Sequence, residues 1–437
     1  MNNNSCRKKD IVILGAGLAG LSTAYHLRHG YTLFEKETEP GGMARSIYKD
    51  GYIFDYDGHL LHFRKEYTFS LVSELLDGNI APHKRNSWIY SNGSYTRYPF
   101  QANLYGLPKN VVKDCLIGLI KAKADSHGTP IMSENFATWL KKTFGYGITE
   151  YFMLPYNRKF WTIEPRELMC DWLDGFIPVP TLEDTIAGAI STNTKSYGYN
   201  SRFWYPIKGG ISEVVEGFLQ RINSLYLNKK AVTIDQRRKE VIFEDGTIKT
   251  FDKLVTTIPL PELFKILTHI PAHVKKAFLS LRFTSILVIN LGIKRDDITD
   301  RHWIYYPEDN VVFYRTGFPT NFSMDVAPPK RTSIYAEVSY PGVNDIENQK
   351  VIDNTVKTLK ALGIIGNENE IEICLPINIK YGYVIYDIDR NRAVHTIKNY
   401  LKHLGIYSIG RYGSWKYMSM EDVILEGKET AECLLIS

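Results

Sequence analysis

The stretch IVILGAGLAG, residues 11–20, decides the fold of this chain. Its first four residues are apolar with no polar alternation, which is typical of a parallel strand covered on both faces. The glycines then follow a G-x-G-x-x-G spacing, and the next residues have helical periodicity as far as Arg28. A second short strand, residues 31–34, ends at Glu35. The sequence therefore predicts a β-α-β unit with a glycine-rich turn after its first strand.

The glycine-rich turn has the features of a dinucleotide site. Its first glycine, Gly15, permits the tight turn, Gly17 lets the backbone approach a pyrophosphate, and Gly20 lets helix and strand pack closely. The following helix presents free N–H groups and a partial positive charge to phosphates. Glu35 stands where a carboxylate accepts hydrogen bonds from ribose hydroxyls. The fingerprint alone does not distinguish FAD from NAD, and the alternative is a turn that binds no ligand. The remaining predicted contacts of this unit are Leu18, Ala19 and Lys36.

Composition limits the classes of protein to consider. At 437 residues, the chain is long enough for two or three domains or for one interleaved pair. A hydrophobic fraction of 44% and a charged fraction of 23% exclude wholesale disorder. The five cysteines are odd in number and never form a C-x-x-C pair. This argues against a disulfide framework or a thiolate zinc site, and we expect a cytoplasmic protein.

The distribution of charge and the hydropathy limit the kinds of partner that the chain is expected to bind. The 53 basic and 48 acidic residues are spread along the chain, so we expect no nucleic-acid binding, although a small anionic ligand would suit the positive balance. No apolar stretch reaches the roughly 18 residues that a membrane helix needs. Residues 6–9, CRKK, with the apolar run after residue 10 resemble the start of a signal peptide. The run is short and leads directly into the glycines, so we interpret it as a buried strand.

The rest of the chain alternates in character. Residues 71 to about 192 are interpreted as mostly helical, and residues 231–260 as short strands. Residues 241–251 form a predicted hairpin around Asp245-Gly246. Further strands are predicted at 286–291 and 333–338, and a closing helix at 421–435.

Three segments resemble the flavin amine oxidase and protoporphyrinogen oxidase superfamily. They are PGGMARS at 40–46, KGGIS at 208–212 with AVTI at 231–234, and GRYG at 410–413 before the closing helix. The resemblance implies FAD, with a flexible glycine pair passing the flavin diphosphate and Arg45 supplying positive charge. The cofactor residues that it implies are Gly42, Met43, Ala44, Arg45, Val232, Gly410, Arg411, Tyr417, Glu421 and Asp422.

Further blocks resemble the UDP-galactopyranose mutases, and more closely the eukaryotic type. They are Gly58-His59, YPFQ at 98–101, FMLPYNRKFW at 152–161, WIYYPEDN at 303–310, FYR at 313–315 and GRYGSWKY at 410–417. The resemblance implies that Gly58 and His59 set the environment of flavin N5 and that Arg411 faces the FAD pyrophosphate.

The same resemblance implies a nucleotide-sugar site. Arg315 would clamp the diphosphate through bidentate hydrogen bonds. Arg315 lies among Phe313, Tyr314 and Phe318, so once buried it needs an anion or a carboxylate partner. The other implied contacts are Tyr305, Tyr383 and Tyr417 at the phosphates, Phe152 and Tyr156 at the uracil, and Tyr98, Gln101, Asn157 and Trp161 around the uridine and sugar.

The implied activity is a pyranose–furanose mutase, by default for UDP-galactose, in which reduced flavin N5 attacks the anomeric carbon. NAD(P)H is a possible reductant, and no side-chain nucleophile is expected. The alternatives are a redox enzyme of the amine oxidase or protoporphyrinogen oxidase type and a flavoprotein that binds a nucleotide sugar without turnover. Two departures keep them open. No second arginine occurs in CDWLDGFI, residues 170–177, and the closing helix begins MSMED, residues 418–422, more like the oxidases.

The expected architecture is α/β, with a discontinuous Rossmann-like FAD/NAD(P)-binding domain. We assign residues 1–85, 200–262 and 395–437 to that domain. We assign 86–199 to a mostly helical cap inserted on the substrate side and 263–394 to an antiparallel β-sheet substrate region.

Overall fold

The structure is a computed structural model that describes residues 10–125, 134–173, 175–192, 195, 197–198 and 200–436. Residues 6–9 of the signal-peptide alternative lie outside the described residues. The strands are β1 Ile11–Leu14, β2 Tyr31–Phe34, β3 Ser46–Lys49, β4 Tyr52–Asp55, β5 Ala81–Lys84, β6 Ser87–Ser91, β7 Ser94–Arg97, β8 Arg202–Tyr205, β9 Leu225–Tyr226, β10 Ala231–Asp235, β11 Glu240–Phe243, β12 Ile248–Thr250, β13 Lys253–Thr256, β14 Phe283–Ile293, β15 Trp303–Tyr305, β16 Arg315–Gly317, β17 Thr332–Pro341, β18 Ile371–Val384 and β19 Ile406–Ser408. The helices are α1 Leu18–Leu27, α2 Glu66–Leu75, α3 Lys109–Asp125, α4 Phe136–Ile148, α5 Leu154–Trp161, α6 Leu182–Ile190, α7 Glu213–Leu219, α8 Leu260–Ile266, α9 Ala272–Leu279, α10 Asn348–Ala361, α11 Arg390–His403, α12 Gly410–Gly413 and α13 Met420–Ile436.

A parallel sheet in the order β19-β13-β1-β2-β9 carries the predicted β-α-β unit. All four residues of β1 are buried, and Ile13 pairs with Val255 of β13 and Leu33 of β2. This confirms the strand that the apolar run predicts. The sheet draws its strands from the beginning, middle and end of the chain, so the fold is an α/β arrangement built from separated segments.

Two helices cover one face of this sheet. Gly20 of α1 faces β1, and a Cβ at this position would lie 2.0 Å from the carbonyl oxygen of Gly15. Helix α13, the predicted closing helix, packs on α1, where Ser22 Oγ donates to the carbonyl of Ile424 at 2.6 Å. The predicted close packing of helix on strand is therefore a direct consequence of glycine at this position.

The second large sheet has the order β18-β14-β17-β16-β15-β6-β7, and all of its pairs are antiparallel except β15 with β6. It contains both strands predicted at 286–291 and 333–338. Its outer hairpin, β6–β7, falls in the segment predicted to be mostly helical. The reason is local: Asn92 and Gly93 have φ of 52° and 75°, which is the two-residue turn that joins twisted strands.

The helical region lies between these sheets in the chain. Helices α3 and α4 approach closely because Gly118 faces Gly145, where a Cβ would lie 2.0 Å from the Gly118 carbonyl oxygen. A π-helical segment, Thr149–Met153, then leads into α5. Wide turns of this kind are frequent at functional sites. Here the segment sets the direction of α5, which carries Tyr156 and Trp161.

The remaining sheets are small. The predicted hairpin at 241–251 is present as β11 and β12, which join β10 in an antiparallel meander. Within the described residues, no helix is long and apolar enough to cross a membrane. The described residues likewise contain no cluster of His, Cys, Asp and Glu that could hold a metal ion.

Candidate cofactor and substrate site

A cavity of about 1070 Å³ begins at the carboxyl ends of β1, β2 and β13 and extends to the large sheet. Pockets for single small molecules have volumes of about 300–1,000 Å³, so this cavity can hold a dinucleotide together with part of a second ligand. Its position is the one at which parallel α/β sheets bind ligands. The predicted residues that line it are Gly15, Gly17, Leu18, Ala19, Glu35, Lys36, Gly42, Met43, Ala44, Arg45, Gly58, His59, Tyr98, Gln101, Phe152, Tyr156, Asn157, Trp161, Tyr305, Arg315, Tyr383, Gly410, Arg411 and Tyr417.

The glycine-rich turn fits a pyrophosphate. Gly15 has a φ of +100°, and a Cβ there would lie 2.1 Å from Thr257 Oγ1. Gly17 is the N-cap of α1, and no side chain caps its free N–H groups. A Cβ on Gly17 would contact only the Gly42 Cα at 3.8 Å, so no protein atom requires glycine at this position. The space in front of the helix N-terminus is therefore suited to an anion.

The carboxylate of Glu35 is fixed beside this turn. It accepts hydrogen bonds from the backbone N–H of Ala16 at 2.7 Å and from that of Glu37 at 3.0 Å. Both oxygens keep further acceptor capacity, since each carboxylate oxygen has two lone pairs. The orientation of the side chain is thereby set for a ribose hydroxyl at the cavity wall.

Arg411 is the clearest cation in the cavity without a carboxylate partner. Its guanidinium donates to the carbonyl oxygens of Met418 at 3.2 Å and Gly382 at 3.3 Å, and Nε is buried with no partner among the described residues. The guanidinium carbon lies 4.8 Å from the ring centre of Tyr417 and 5.2 Å from that of Tyr383. A partly buried cation held only by carbonyls and aromatic faces is suited to an anionic ligand.

Gly58 allows two polar groups to approach the backbone. A Cβ at Gly58 would lie 2.5 Å from the Tyr335 hydroxyl oxygen and 3.2 Å from Nη2 of Arg315. The next residue, His59, has its pKa lowered by burial, against the opposing charges of Asp57 and Asp55. His59 therefore enters the site as a neutral ring, and its Nδ1 has no partner among the described residues.

Arg315 is bound by a carboxylate of the protein itself. Its Nε donates to Oε2 of Glu337 at 2.7 Å and its Nη2 to Oε1 at 2.6 Å. The carboxylate of Asp57 lies 3.6 Å from the same Nη2. Of the two partners that the sequence allowed for Arg315, the structure supplies the carboxylate. The arginine still lines the cavity, and its hydrogen bonds to Glu337 use Nε and Nη2 only.

An aromatic wall, formed by Phe152, Tyr156, Phe160, Tyr305 and Tyr383, lines one part of the cavity. The rings of Phe152 and Tyr156 are stacked 5.4 Å apart, and Phe160 continues the row 5.9 Å beyond Tyr156. The ring centre of Tyr383 lies 4.1 Å from that of Phe160. Burial raises the pKa of Tyr156 and that of Tyr383 well above the ordinary phenol value, so both are neutral donors. Tyr305 meets Tyr156 edge-on at 5.5 Å and closes the wall.

The polar residues near this wall are held by hydrogen bonds and by one cation–π contact. Trp161 Nε1 donates to Asn157 Oδ1 at 3.2 Å, and Asn157 Nδ2 donates to the carbonyl of Met153 at 2.8 Å. Gln101 donates to the carbonyl of Pro178 at 2.6 Å, while its buried Oε1 has no partner among the described residues. Tyr98 lies beneath the guanidinium of Arg85, 4.6 Å from its carbon. The amide oxygen of Gln101 is thus an acceptor at the cavity wall that the described residues leave unsatisfied.

Four predicted cofactor residues do not line the cavity. Gly20 packs against the turn, and Val232 is replaced at the wall by its neighbour Ala231. Glu421 is buried because it binds the backbone N–H groups of Arg64 and Lys65 at 2.9 Å. Asp422 accepts from the backbone of Ser419 at 2.8 Å in a capping box at the start of α13. Met418, Ser419 and Met420 take their places at the cavity.

Sequence reasoning missed Glu337, Asp57, Tyr335 and Trp172. Glu337 is the single acid within a strand that is buried from Thr332 to Val338, and such an acid requires a cation partner. That pattern is a signal that the sequence contains. Trp172 lines the cavity with an unpaired Nε1, and nothing in the sequence distinguishes it from a core aromatic residue.

Comparisons with known proteins agree with this geometry. The family model for flavin-containing amine oxidoreductases matches residues 18–435. A crystal structure of reduced UDP-galactopyranose mutase superposes with a TM-score of 0.92 and 27% identity, covering 98% of this chain and 95% of that one. A coproporphyrinogen III oxidase of Staphylococcus aureus is 21% identical, covering 97% of this chain and 98% of its own. A probable UDP-galactopyranose mutase of Klebsiella pneumoniae is 24% identical over 262 residues, which is 57% of this chain and 62% of that protein.

Proposed function

The chain belongs to the flavin-containing amine oxidoreductase family, and from that premise we propose that it is a FAD-dependent nucleotide-sugar mutase. Its default substrate pair is UDP-galactopyranose and UDP-galactofuranose. The protein is a flavoprotein whose cofactor is FAD. The observation that carries the proposal is that all the substrate residues expected of a mutase line one cavity together with most of the predicted flavin residues.

The residues present fit FAD. The uncapped N-terminus of α1 would hold the pyrophosphate, Glu35 the adenosine ribose, and Arg411 would supply a positive charge. Gly58 and His59 would border the flavin ring, with His59 neutral. When bound and reduced, the flavin supplies the nucleophile for exchange of the sugar ring form. The protein supplies binding, orientation and exclusion of water.

The aromatic wall would hold the nucleotide sugar. Phe152 and Tyr156 offer a stacked pair of rings for a uracil, and the free amide oxygen of Gln101 an acceptor for its N–H. The phenols of Tyr305, Tyr383 and Tyr417 would donate to the phosphates without adding charge. Since these rings are packed against one another, they also exclude water from the reacting carbon.

The test is an isomerisation assay on the FAD-loaded protein. Dithionite-reduced protein is incubated with UDP-galactofuranose, and UDP-galactopyranose is separated by chromatography. We expect conversion by the reduced protein and none by the oxidised protein. The matched variants are Tyr383→Phe in the wall and Tyr400→Phe in α11, where the tyrosine does not line the cavity. The pair separates loss of a phosphate donor from a general effect of removing a hydroxyl. Absence of conversion by reduced wild-type protein that retains its flavin overturns the proposal.

A second candidate is a flavin oxidoreductase. Two observations favour it: the full-length similarity to a coproporphyrinogen III oxidase, and an Arg315 that is already paired with Glu337. A paired arginine offers less charge to a diphosphate than a free one. Consumption of oxygen with coproporphyrinogen III, without conversion of the sugar nucleotide, would favour this candidate.

A further inference from the structure

Two carboxyl groups share one guanidinium at the floor of the cavity. Nη2 of Arg315 lies 2.6 Å from Glu337 Oε1 and 3.6 Å from Asp57 Oδ1. The carboxyl groups of Asp57 and Glu337 therefore meet at the same guanidinium nitrogen of Arg315, and each is close enough to influence the pKa of the other. Two ionised carboxylates this close repel each other, and a single proton shared between them removes that repulsion.

The surroundings decide which carboxyl group keeps the proton. Glu337 has no solvent exposure, whereas Asp57 is 18% exposed and lines the cavity. Asp57 also accepts a hydrogen bond from the backbone N–H of Gly58 at 2.7 Å, which stabilises its charged form. Burial and the neighbouring charge of Asp57 raise the pKa of Glu337, while Arg315 opposes that shift. Burial also raises the pKa of Asp57, but Glu337 and Arg315 outweigh it and lower the pKa.

We propose that Asp57 and Glu337 form a one-proton carboxyl pair that positions Arg315 and cancels its charge at neutral pH. Glu337 carries the proton and donates a hydrogen bond to the carboxylate of Asp57, so the pair contributes one negative charge against the one positive charge of Arg315. The subsite at Arg315 then offers hydrogen-bond donors without net charge. Loss of the shared proton at higher pH makes the subsite negative.

Other groups also face this cluster. Arg411 approaches from α12, and Asp55 and His59 flank Asp57 in the chain. Tyrosines approach from three strands, from two helices and from the segments before β16 and after α12. Burial raises the pKa values of Tyr335 and Tyr383, so these phenols stay neutral. Burial lowers the pKa of His59, which stays neutral as well. The facing phenols are those of Tyr156, Tyr305, Tyr314, Tyr335, Tyr383, Tyr412 and Tyr417.

Infrared spectroscopy of the FAD-loaded holoprotein in D₂O tests the shared proton directly. Wild-type protein at neutral pH should show the carbonyl stretch of a protonated carboxyl group, and Glu337→Gln should lack it. Asp57→Asn should lack it too, because Glu337 ionises beside Arg315 once its acidic neighbour is gone. The control Asp387→Asn removes another half-buried carboxyl group, whose pKa is raised mainly by burial, and should leave this band in place.

The result for Asp57→Asn is the decisive one. A band that survives in Asp57→Asn but not in Glu337→Gln would mean an isolated protonated glutamate and would overturn the pair. A wild-type spectrum that neither substitution changes would overturn it as well. If Asp57→Asn fails to fold, Asp57→Ser, which also removes the carboxyl group, supplies the same comparison with Glu337→Gln.

The charge consequence is measured with UDP as the probe, between about pH 7.5 and about pH 9, where the diphosphate keeps its charge. Wild-type holoprotein should bind UDP about fivefold or more weakly at the higher pH, and Glu337→Gln should show less than about a twofold change. An equal pH dependence in both proteins would overturn the charge role. This arm rests on the proposed nucleotide-sugar function. If wild-type protein binds no UDP at any pH, that function fails, while the infrared result still decides the pair.

Discussion

The ammonium of Lys159 donates a hydrogen bond to the carbonyl oxygen of Val311 at 2.7 Å. It also reaches the carbonyls of Tyr306 at 3.0 Å, Glu308 at 2.5 Å and Phe313 at 3.3 Å. One side chain of α5 therefore holds the whole loop between β15 and β16. These two strands carry Tyr305 and Arg315, so the lysine couples the aromatic wall to the floor of the cavity.

We expect Lys159→Met to lower the free energy of unfolding by about 3 kcal/mol, because several buried carbonyls lose a charged donor. The measurement is the thermal midpoint of the FAD-loaded protein, followed by circular dichroism. Lys357→Met, at an exposed position of α10, is the matched control and should change the midpoint little. Equal midpoints for the two variants would mean that the carbonyls find water in place of the lysine.

Replacing glycine by alanine should weaken FAD binding at one position of the turn and lower the stability of the apoprotein at another. A Cβ on Gly17 would contact only a backbone carbon at 3.8 Å, whereas one on Gly20 would lie 2.0 Å from the Gly15 carbonyl oxygen. We expect Gly17→Ala to leave the stability of the apoprotein unchanged and to weaken FAD binding about tenfold or more. We expect Gly20→Ala to destabilise the apoprotein by about 1–3 kcal/mol through overpacking.

Thermal midpoints of the apoproteins and fluorescence titration with FAD separate the two effects. A stable Gly17→Ala apoprotein with wild-type affinity would show that the pyrophosphate does not approach this residue. A Gly20→Ala apoprotein as stable as the wild type would show that helix and strand can separate without cost.

The sequence predicts the β-α-β unit well because its signals are local. Apolar residues 11–14, the glycine spacing and Glu35 act within one short segment, and the described structure places them as expected. The partner of Arg315, in contrast, could not be predicted from local sequence signals. Glu337 meets it through the register of β16 on β17, where Arg315 pairs with Glu337, and that register depends on packing of the whole sheet. The π-helical segment before α5 likewise has no local sequence signal, because it also depends on tertiary packing.

Acid should destabilise the protein through His302. Burial first, and then His83, lower the pKa of this residue to about 4, and its Nδ1 accepts from the backbone N–H of Asn86 at 3.2 Å. A folded-state pKa below the unfolded value means that stability is complete above about pH 6.5 and falls as the pH drops towards 4. The loss attributable to His302 is about 2 kcal/mol at pH 5.

His302→Asn tests this assignment, since its amide oxygen can still accept from Asn86 but does not titrate. We expect the thermal midpoint of the variant to fall less than that of the wild type between about pH 7 and about pH 5. His59 and His62 also have pKa values lowered by burial, so a residual slope is expected in the variant. If the thermal midpoints of the two proteins fall in parallel with pH, His302 does not cause the loss of stability in acid.

Arg411 should contribute to cofactor binding more than any exposed arginine. Its Nε is buried and unpaired, and no carboxylate of the described residues pairs with the guanidinium, so the positive charge is available to an anion. We expect Arg411→Gln to weaken FAD binding by about 2 kcal/mol, which is about thirtyfold, and to do so at high salt as well, because a buried contact is weakly screened. Titration of the apoprotein with FAD measures this, with the exposed Arg392→Gln as control. Unchanged FAD affinity with weakened UDP binding would instead assign Arg411 to the substrate, because the same charge would then be neutralised by the second diphosphate.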